Sequence, residues 1–179
     1  MDTHQQDWLV GGARRSVACE RIVTSAARLF RDRGFDQVGM EQVATDAGCS
    51  RATLYRHFPG KPALIDAVLA HSAVVVTDRV AAQLQQYTGR RRIVEAILGS
   101  VVAVRSDPVL AQWFAVARSG AADGVFASSR EPARIATALT GIAPDDEAAQ
   151  WIVRIVLSLL AWPLPDAASE RRMVERFVG

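Results

Sequence analysis

The sequence predicts an all-α fold made of two helical domains. Apolar residues recur at helical spacing from residue 16 onward, strand-like alternation is scarce, and the segments between apolar runs are rich in turn residues. The stretch VVVT at 74–77 has the composition of a strand, but it lies inside a helical pattern and is assigned to a helix. The chain has 179 residues, of which 50% are hydrophobic and 22% are charged, so it can form sizeable cores.

The first helices are predicted from apolar spacing and from residues typical of helix ends. A helix over 16–33 is followed by a short helix over 40–47, and both carry apolar residues along one face. Gly48 then turns the chain, because glycine tolerates positive φ at little cost. Ser50 is well placed to cap the start of a third helix over 51–57.

The remainder of the chain is expected to form further amphipathic helices. Their predicted ranges are 62–87, 90–105, 108–119, 127–140, 145–161 and 168–178. Pro62 suits the first turn of the first of these helices. We therefore expect an N-terminal domain over 1–61 and a helical C-terminal domain over 62–179.

A helix-turn-helix is predicted between residues 44 and 54, from the pattern AxxxGCSxxxL. Small Ala44 lets two helices approach closely, and Gly48 makes the corner between them. Cys49 and Leu54 fill the interface between the two helices, and Ser50 begins the second helix. The spacing thus predicts a compact motif in which the second helix is held against the first.

The second helix of this motif is basic and presents its polar face to the outside. The stretch GCSRATLYRHFPGK (48–61) contains the chain's only lysine and no acidic residue. Its outward residues are Arg51, Ala52, Thr53, Tyr55, Arg56 and His57. Such a helix fits the major groove of DNA, although a solvated basic face is the alternative. Because the whole chain has a formal charge of only +2, any nucleic-acid surface must be local.

Residues 22–64 resemble the N-terminal domain of the TetR/AcrR family of bacterial transcriptional regulators. The segment AARLFRDRGFDQVGMEQVATDAGCSRATLYRHFPGKPAL carries the family's residues at the family's spacing. Four positions depart from the pattern, namely Gly39, Cys49, Ala52 and Pro62. Gly39 stands where the family usually has Thr or Ser, so it can cap a helix but cannot supply a hydroxyl to a phosphate.

The resemblance implies a DNA-binding transcriptional regulator and gives roles to individual side chains. The residues implied in phosphate contacts are Tyr55, His57 and Lys61, and those implied in base contacts are Arg51, Thr53 and Arg56. The implied partners are a palindromic double-stranded DNA operator, a second copy of the chain in a homodimer, and a small-molecule effector. A repressor is expected, and an activator with the same fold is left open.

The resemblance also implies that the last two helices form the dimer's four-helix bundle. Their apolar faces provide the expected interface residues Ile152, Ile155, Leu159, Val174 and Phe177. The alternative is that these faces serve only the core of one chain.

Effector contacts are predicted from arginines and aromatic residues on helical faces. The candidates are Arg105, Trp113, Phe114, Arg118, Trp151 and Arg154. Arg105 shares a face with apolar Leu98 and Val101, where an unpaired charge is costly. If the arginines line a cavity, an anionic or amphipathic ligand would suit them. The regulatory mechanism that we expect has a small apolar ligand entering the C-terminal domain. Core packing or solvent exposure is the alternative for each candidate.

No catalytic, cofactor or metal site is expected from the sequence. His4, His57 and His71 lack a nucleophile or carboxylate set at a recognisable spacing. The N-terminus does not read as a signal peptide, and the apolar run at 151–162 is too short to span a bilayer, so we expect a cytoplasmic protein. Two other classes stay open: a helical small-molecule-binding protein without specific operator recognition, and a helical enzyme or carrier.

Overall fold

The chain consists of helices that cluster into two compact units. A computed structural model describes residues 4–116, 131–142 and 146–178, with the side chains of the first helix described from Ser16. The units are Met1–His71 and Ser72–Gly179. All regular secondary structure within the described ranges is helical, which confirms the predicted all-α class.

The helices within these ranges follow the predicted order closely. They are α1 (His4–Arg33), α2 (Met40–Asp46), α3 (Arg51–His57), α4 (Lys61–Leu84), α5 (Gly89–Ser106), α6 (Pro108–Val116), α7 (Glu131–Thr140), α8 (Asp146–Ala161) and α9 (Ala167–Val178). The predicted residues 117–119, 127–130 and 145 lie outside the described ranges. The VVVT stretch lies within α4, as predicted.

The largest difference from the predicted bounds is at the start of the chain. The predicted first helix begins at residue 16, whereas α1 begins at His4 and continues through Gly11 and Gly12. Each glycine inside a helix costs about 1 kcal/mol relative to alanine, so this pair weakens the helical pattern in the sequence.

The first unit is built around apolar residues of α1, α2 and α3. Phe30 on α1, Val43 on α2 and Leu54 on α3 are fully buried. The Phe30 ring contacts the Phe35 ring at 5.1 Å between centroids, in the loop that follows α1. These contacts fix α3 on the surface of a small packed core.

The second unit is organised around α5. Its apolar residues Val94, Ile97 and Val101 belong to one core cluster with residues of α7, α8 and α9. At Gly99 a Cβ atom would lie 3.6 Å from the Val80 side chain, so α4 and α5 approach closely there. No helix among the described residues is long and apolar enough to cross a membrane.

Two ion pairs attach α9 to α5. Arg105 donates to both carboxylate oxygens of Glu170, at 2.9 and 2.7 Å. Arg171 donates to both carboxylate oxygens of Glu95, at 2.8 and 3.1 Å, and these hydrogen bonds lower the pKa of Glu95. The orientation of α9 is thus fixed by paired charges as well as by apolar contacts.

Candidate functional site

The turn between α2 and α3 has the geometry that the sequence predicts. Gly48 has a φ of +63°, and the Cys49 amide donates to the Ala44 carbonyl at 2.9 Å. The Arg21 guanidinium donates to the Ala47 carbonyl at 2.7 Å, beside the turn. A Cβ at Gly48 would lie only 3.2 Å from that guanidinium, so both backbone conformation and space favour glycine.

The start of α3 is held by the predicted cap. The Ser50 hydroxyl accepts a hydrogen bond from the Thr53 amide at 3.1 Å and lies 3.0 Å from the Thr53 hydroxyl. Thr53 is half-buried and faces this cap, so the cap positions the hydroxyl for which the family resemblance implies a base contact. At the start of α2 the Gly39 amide donates to the Gln42 side chain at 2.8 Å, which is one of the two hydrogen bonds of a capping box. Glycine has no side chain to make the other.

The interior side of the motif matches the predicted helix-turn-helix core. Ala44 and Leu54 are buried, at 3% and 0% exposure, and Cys49 is half-buried. On α1, Arg28 forms an ion pair with Asp46 at the end of α2, and this hydrogen bond lowers the pKa of Asp46. The two supporting helices are therefore linked by charge as well as by apolar packing.

The outer face of α3 presents the predicted basic residues to solvent. Arg51, Tyr55 and Arg56 are exposed, and Tyr55 has 49% of its surface accessible. The Arg51 guanidinium forms an ion pair with Glu41 on α2, with Nη2 and Oε2 2.6 Å apart. Sequence reasoning missed Glu41, because residues 41 and 51 come together only once the turn geometry is known.

The remaining two predicted phosphate contacts lie at the end of α3 and at the start of α4. His57 is half-buried and its ring lies 6.3 Å from the ring of buried Phe58. Lys61, at the start of α4, donates to the Asp36 carbonyl at 3.4 Å. Lys61 is thus held beside the loop that joins α1 to α2.

The second unit contains an apolar cavity of about 140 Å³. It lies among α4, α5, α6, α7 and α8. The residues that line it are Ala73, Val76, Thr77, Val80, Ala96, Ser100, Val104, Leu110, Phe114, Pro132, Ile135, Ala136, Leu139, Thr140, Ile152, Val153, Val156, Leu157 and Leu160. No ionisable side chain of the described residues belongs to this wall, whose polar groups are hydroxyls and backbone.

The residues predicted to contact an effector differ in their position relative to this cavity. Of the candidates, Phe114 lines the cavity. Arg105 does not, because its guanidinium is bound to Glu170 and donates to the Leu159 carbonyl at 2.8 Å. The sequence correctly indicated a costly charge on an apolar face, but the partner is a carboxylate of the same chain rather than a ligand.

The other predicted effector contacts lie away from the cavity wall. Trp113 packs edge-on against Phe114, with 5.1 Å between ring centroids, and is not among the lining residues. Trp151 and Arg154 are exposed on α8, and they too are absent from the wall. Arg118 lies outside the described residues.

The predicted dimer face is also corrected in part. Ile152, Leu159 and Val174 are 4%, 1% and 2% exposed within a single chain, so they belong to its core and have no surface left for a partner. Ile155 is half-buried against the same core, and Phe177 is 68% exposed. The helical period identified an apolar stripe but not which side of it faces solvent.

The exposed apolar surface of α8 lies beside the predicted stripe. Trp151 and Trp162 are 38% and 76% exposed, and Ile155 and Ser158 lie between them at helical spacing. The helical turn continues to Trp162, whose amide donates to the Ser158 carbonyl at 2.8 Å. Sequence reasoning missed Trp162, although large exposed aromatic residues are typical of interfaces.

Among the residues that are described, no group of three or more His, Cys, Asp or Glu side chains could hold a metal ion. Cys19 and Cys49 are both free thiols and half-buried.

Comparisons with known proteins agree with this architecture. A family model described as "Bacterial regulatory proteins, tetR family" matches residues 22–68. The uncharacterized HTH-type transcriptional regulator Rv1255c of Mycobacterium tuberculosis is 35% identical over 179 residues, which cover 96% of this chain and 88% of the relative.

Solved structures show the same fold at lower sequence identity. The TetR family repressor AlkX from Dietzia sp. has a TM-score of 0.65 and 21% identity, covering 88% of this chain and 93% of AlkX. The multidrug binding protein EbrR, complexed with imidazole, has a TM-score of 0.61 and 20% identity, covering 89% of each chain.

Proposed function

This chain belongs to the TetR family of transcriptional regulators, and from that premise we propose that it is a ligand-responsive repressor that binds a palindromic operator as a homodimer. It would act in the bacterial cytoplasm, and no catalytic role is proposed. The exposed face of α3 carries the proposal. On that helix Arg51, Tyr55 and Arg56 are exposed, no residue is acidic, and the Gly48 turn and the Ser50 cap fix its start.

The polar groups around α3 support separate roles in operator binding. Arg51 and Thr53 lie in the first turn of α3, from which side chains reach base edges when a helix enters the major groove. Tyr55, His57 and Lys61 lie further along, where phosphate contacts would fix the register. Arg56 is exposed beside them and would serve either role.

A homodimer is supported by the exposed aromatic residues of α8 and α9. Trp151, Trp162 and Phe177 are too large and too exposed to be explained by the core of one chain. In a two-fold interface each would meet the same patch on the partner. Two-fold symmetry would also present two α3 helices to successive major grooves and so select a palindrome.

Ligand response is supported by the course of α4. The helix begins at Lys61, beside α3, and its later residues Ala73, Val76 and Val80 line the cavity. A ligand that binds only one arrangement of α4 would favour the corresponding state of the regulator, and about 1–3 kcal/mol of coupling would lower operator affinity about 5- to 150-fold. EbrR, which shares the fold, is named as a multidrug binding protein.

Selection of bound duplexes from a random DNA pool tests this function directly. The purified full chain should enrich one palindrome at physiological salt. Arg51→Ala should lose preference at one position of each half-site, whereas Arg79→Ala, which removes an exposed arginine of α4 in the second unit, should leave the preference unchanged. Salt-dependent binding without enrichment would contradict operator recognition and favour a helical ligand-binding protein instead.

A further inference from the structure

We propose that the ligand of the cavity among helices α4 to α8 is a compact, uncharged molecule of single-ring size with at most one hydrogen-bonding group. This inference deepens the proposed ligand response and rests on it for its regulatory meaning. It follows from three observations, namely the chemistry of the cavity wall, the hydrogen bonds that the neighbouring arginines make within the protein, and the volume of the cavity.

Among the described residues, the cavity wall contains no ionisable side chain that could neutralise a charged ligand. Its side chains are aliphatic apart from Phe114, Pro132 and the hydroxyl residues Thr77, Ser100 and Thr140. An ion that enters such a space loses its hydration without gaining a counter-charge, which makes binding of the charged form strongly unfavourable. The wall therefore selects neutral molecules.

The arginines near the wall are already engaged in hydrogen bonds within the protein. Arg92 donates to the Leu139 carbonyl at 2.8 Å and to the Leu84 carbonyl at 3.1 Å, so it caps the ends of α7 and α4. Arg105 donates to Glu170 and to the Leu159 carbonyl. Turning either guanidinium toward a ligand would leave helix ends or a buried carboxylate without partners, so the expectation of an anionic or amphipathic ligand is replaced.

The volume of the cavity limits the size of the group that it can hold. An enclosed cavity of about 150 Å³ lined by Leu, Ile and Phe stays dry and binds benzene. The cavity here has a wall of similar chemistry and a volume of about 140 Å³, but it is partly open to solvent. The small residues Ala73, Ala96 and Ala136 leave this space open between the helices. A single ring or a short branched hydrocarbon fills it.

The hydroxyls of Ser100 and Thr77 can provide a polar contact to a ligand in the cavity. The Thr140 hydroxyl already donates to the Ala136 carbonyl at 2.6 Å. Ser100 and Thr77 also line the cavity, and within the described part of the chain neither hydroxyl makes a hydrogen bond. Each is thus available to a single hydroxyl or carbonyl on the ligand.

A series of probes with the same ring but different charge tests this assignment. We would titrate the purified full chain with toluene, benzyl alcohol, benzoate and benzylamine, using calorimetry together with the shift in melting temperature. Toluene and benzyl alcohol should bind, and benzoate and benzylamine should bind at least about 100-fold more weakly because their charge would be buried unpaired. Equal affinity for a charged and a neutral probe, or no binding of either neutral probe, would overturn the inference.

A matched pair of variants places the binding in this cavity. Ala73→Leu adds bulk to the wall and should abolish toluene binding, whereas Ala82→Leu makes the same change on an exposed position of the same helix and should leave it intact. Ala136→Leu also adds bulk to the cavity wall, and it replaces Ala73→Leu in this test if that variant does not fold. Toluene affinity that is unchanged in a folded wall variant would place the site elsewhere.

The ligand inference and the proposed function fail in different ways. Binding of the probes is measured without DNA, so it does not depend on operator recognition. Addition of toluene to the complex with the selected palindrome then tests release. Binding without any change in operator affinity would support the cavity chemistry while contradicting a ligand-responsive regulator.

Discussion

Replacement of Glu170 by glutamine should destabilise the second unit, because this carboxylate on α9 binds both α5 and the segment that precedes α9. Its side chain is 5% exposed, and it accepts from Arg105 on α5 through both oxygens and from the Leu164 amide at 3.3 Å. In Glu170→Gln one oxygen becomes an NH₂ group that faces the donors of Arg105. The substitution keeps the volume of the side chain and changes only its charge and hydrogen bonding.

The expected loss of stability in Glu170→Gln lies between the values typical of buried and of exposed ion pairs. Removing one partner of a fully buried pair costs about 3–5 kcal/mol. Arg105 keeps its hydrogen bond to the Leu159 carbonyl and is 36% exposed, so water can solvate part of its charge. We therefore expect Glu170→Gln to lower the free energy of unfolding by about 2–3 kcal/mol, or the melting temperature by about 4–12 °C.

The pH dependence of this loss identifies the ion pair as its cause. Hydrogen bonds from Arg105 lower the pKa of Glu170 below its ordinary value. The stabilisation is therefore complete above the pKa of the unfolded carboxyl, about 4.3, and is lost as the pH falls through the lower pKa of the folded state. The stability difference between the wild type and Glu170→Gln should be constant from pH 6 to 8 and shrink below about pH 4.

Urea unfolding followed by tryptophan fluorescence measures this difference. Trp113, Trp151 and Trp162 all lie in the second unit, so the signal reports mainly on that unit. Glu175→Gln is the matched control on α9. Glu175 is 51% exposed and its carboxylate lies 3.5 Å from the Arg171 guanidinium, and such an exposed ion pair contributes about 0–1 kcal/mol to stability. Equal losses in the two variants, or a Glu170→Gln loss that does not shrink in acid, would refute the reasoning.

Three further predictions concern DNA binding and assembly. Lys61→Ala should weaken binding to all duplexes alike and reduce the slope of log K against log salt by about 0.9, and an unchanged slope in fluorescence anisotropy would contradict a phosphate contact. Glu41→Gln should change the bases selected from a random pool, because it releases the Arg51 guanidinium from its ion pair; an identical selected sequence would mean that the pair does not orient Arg51. Trp162→Ser should raise the dimer dissociation constant at least about tenfold in sedimentation velocity with little change in melting temperature, since Trp162 is 76% exposed; an unaltered dimer would exclude this face.

Local sequence signals predicted the helices and the turn well, because those features depend on neighbouring residues. Gly48 adopts positive φ and Ser50 caps α3, as each residue type indicates on its own. The helix-turn-helix core of Ala44 and Leu54 was predictable for the same reason. The start of α1 was not, because glycines inside a helix look like an end when only propensity is considered.

The choice between a dimer face and a core face could not be made from helical spacing. Ile152 and Ile155 are three residues apart on α8, yet Ile152 is 4% exposed and lines the cavity while Ile155 is half-buried. Both residues fit the same apolar stripe, and only the position of α5 and α7 decides which one is covered. Periodicity gives the direction of a face within one helix, but not the helix that packs against it.

The Arg105 prediction shows why the polar part of the candidate site was the least predictable. The argument that an unpaired charge on an apolar face is costly was sound, and it correctly marked Arg105 as a residue that needs a partner. Its partner Glu170 is 65 positions away in the chain, on a helix whose place was unknown from the sequence. From the sequence alone, a ligand and an internal carboxylate are equally good partners for the Arg105 charge. The predicted ligand contact of Arg105 is therefore replaced by an internal ion pair that helical spacing alone could not locate.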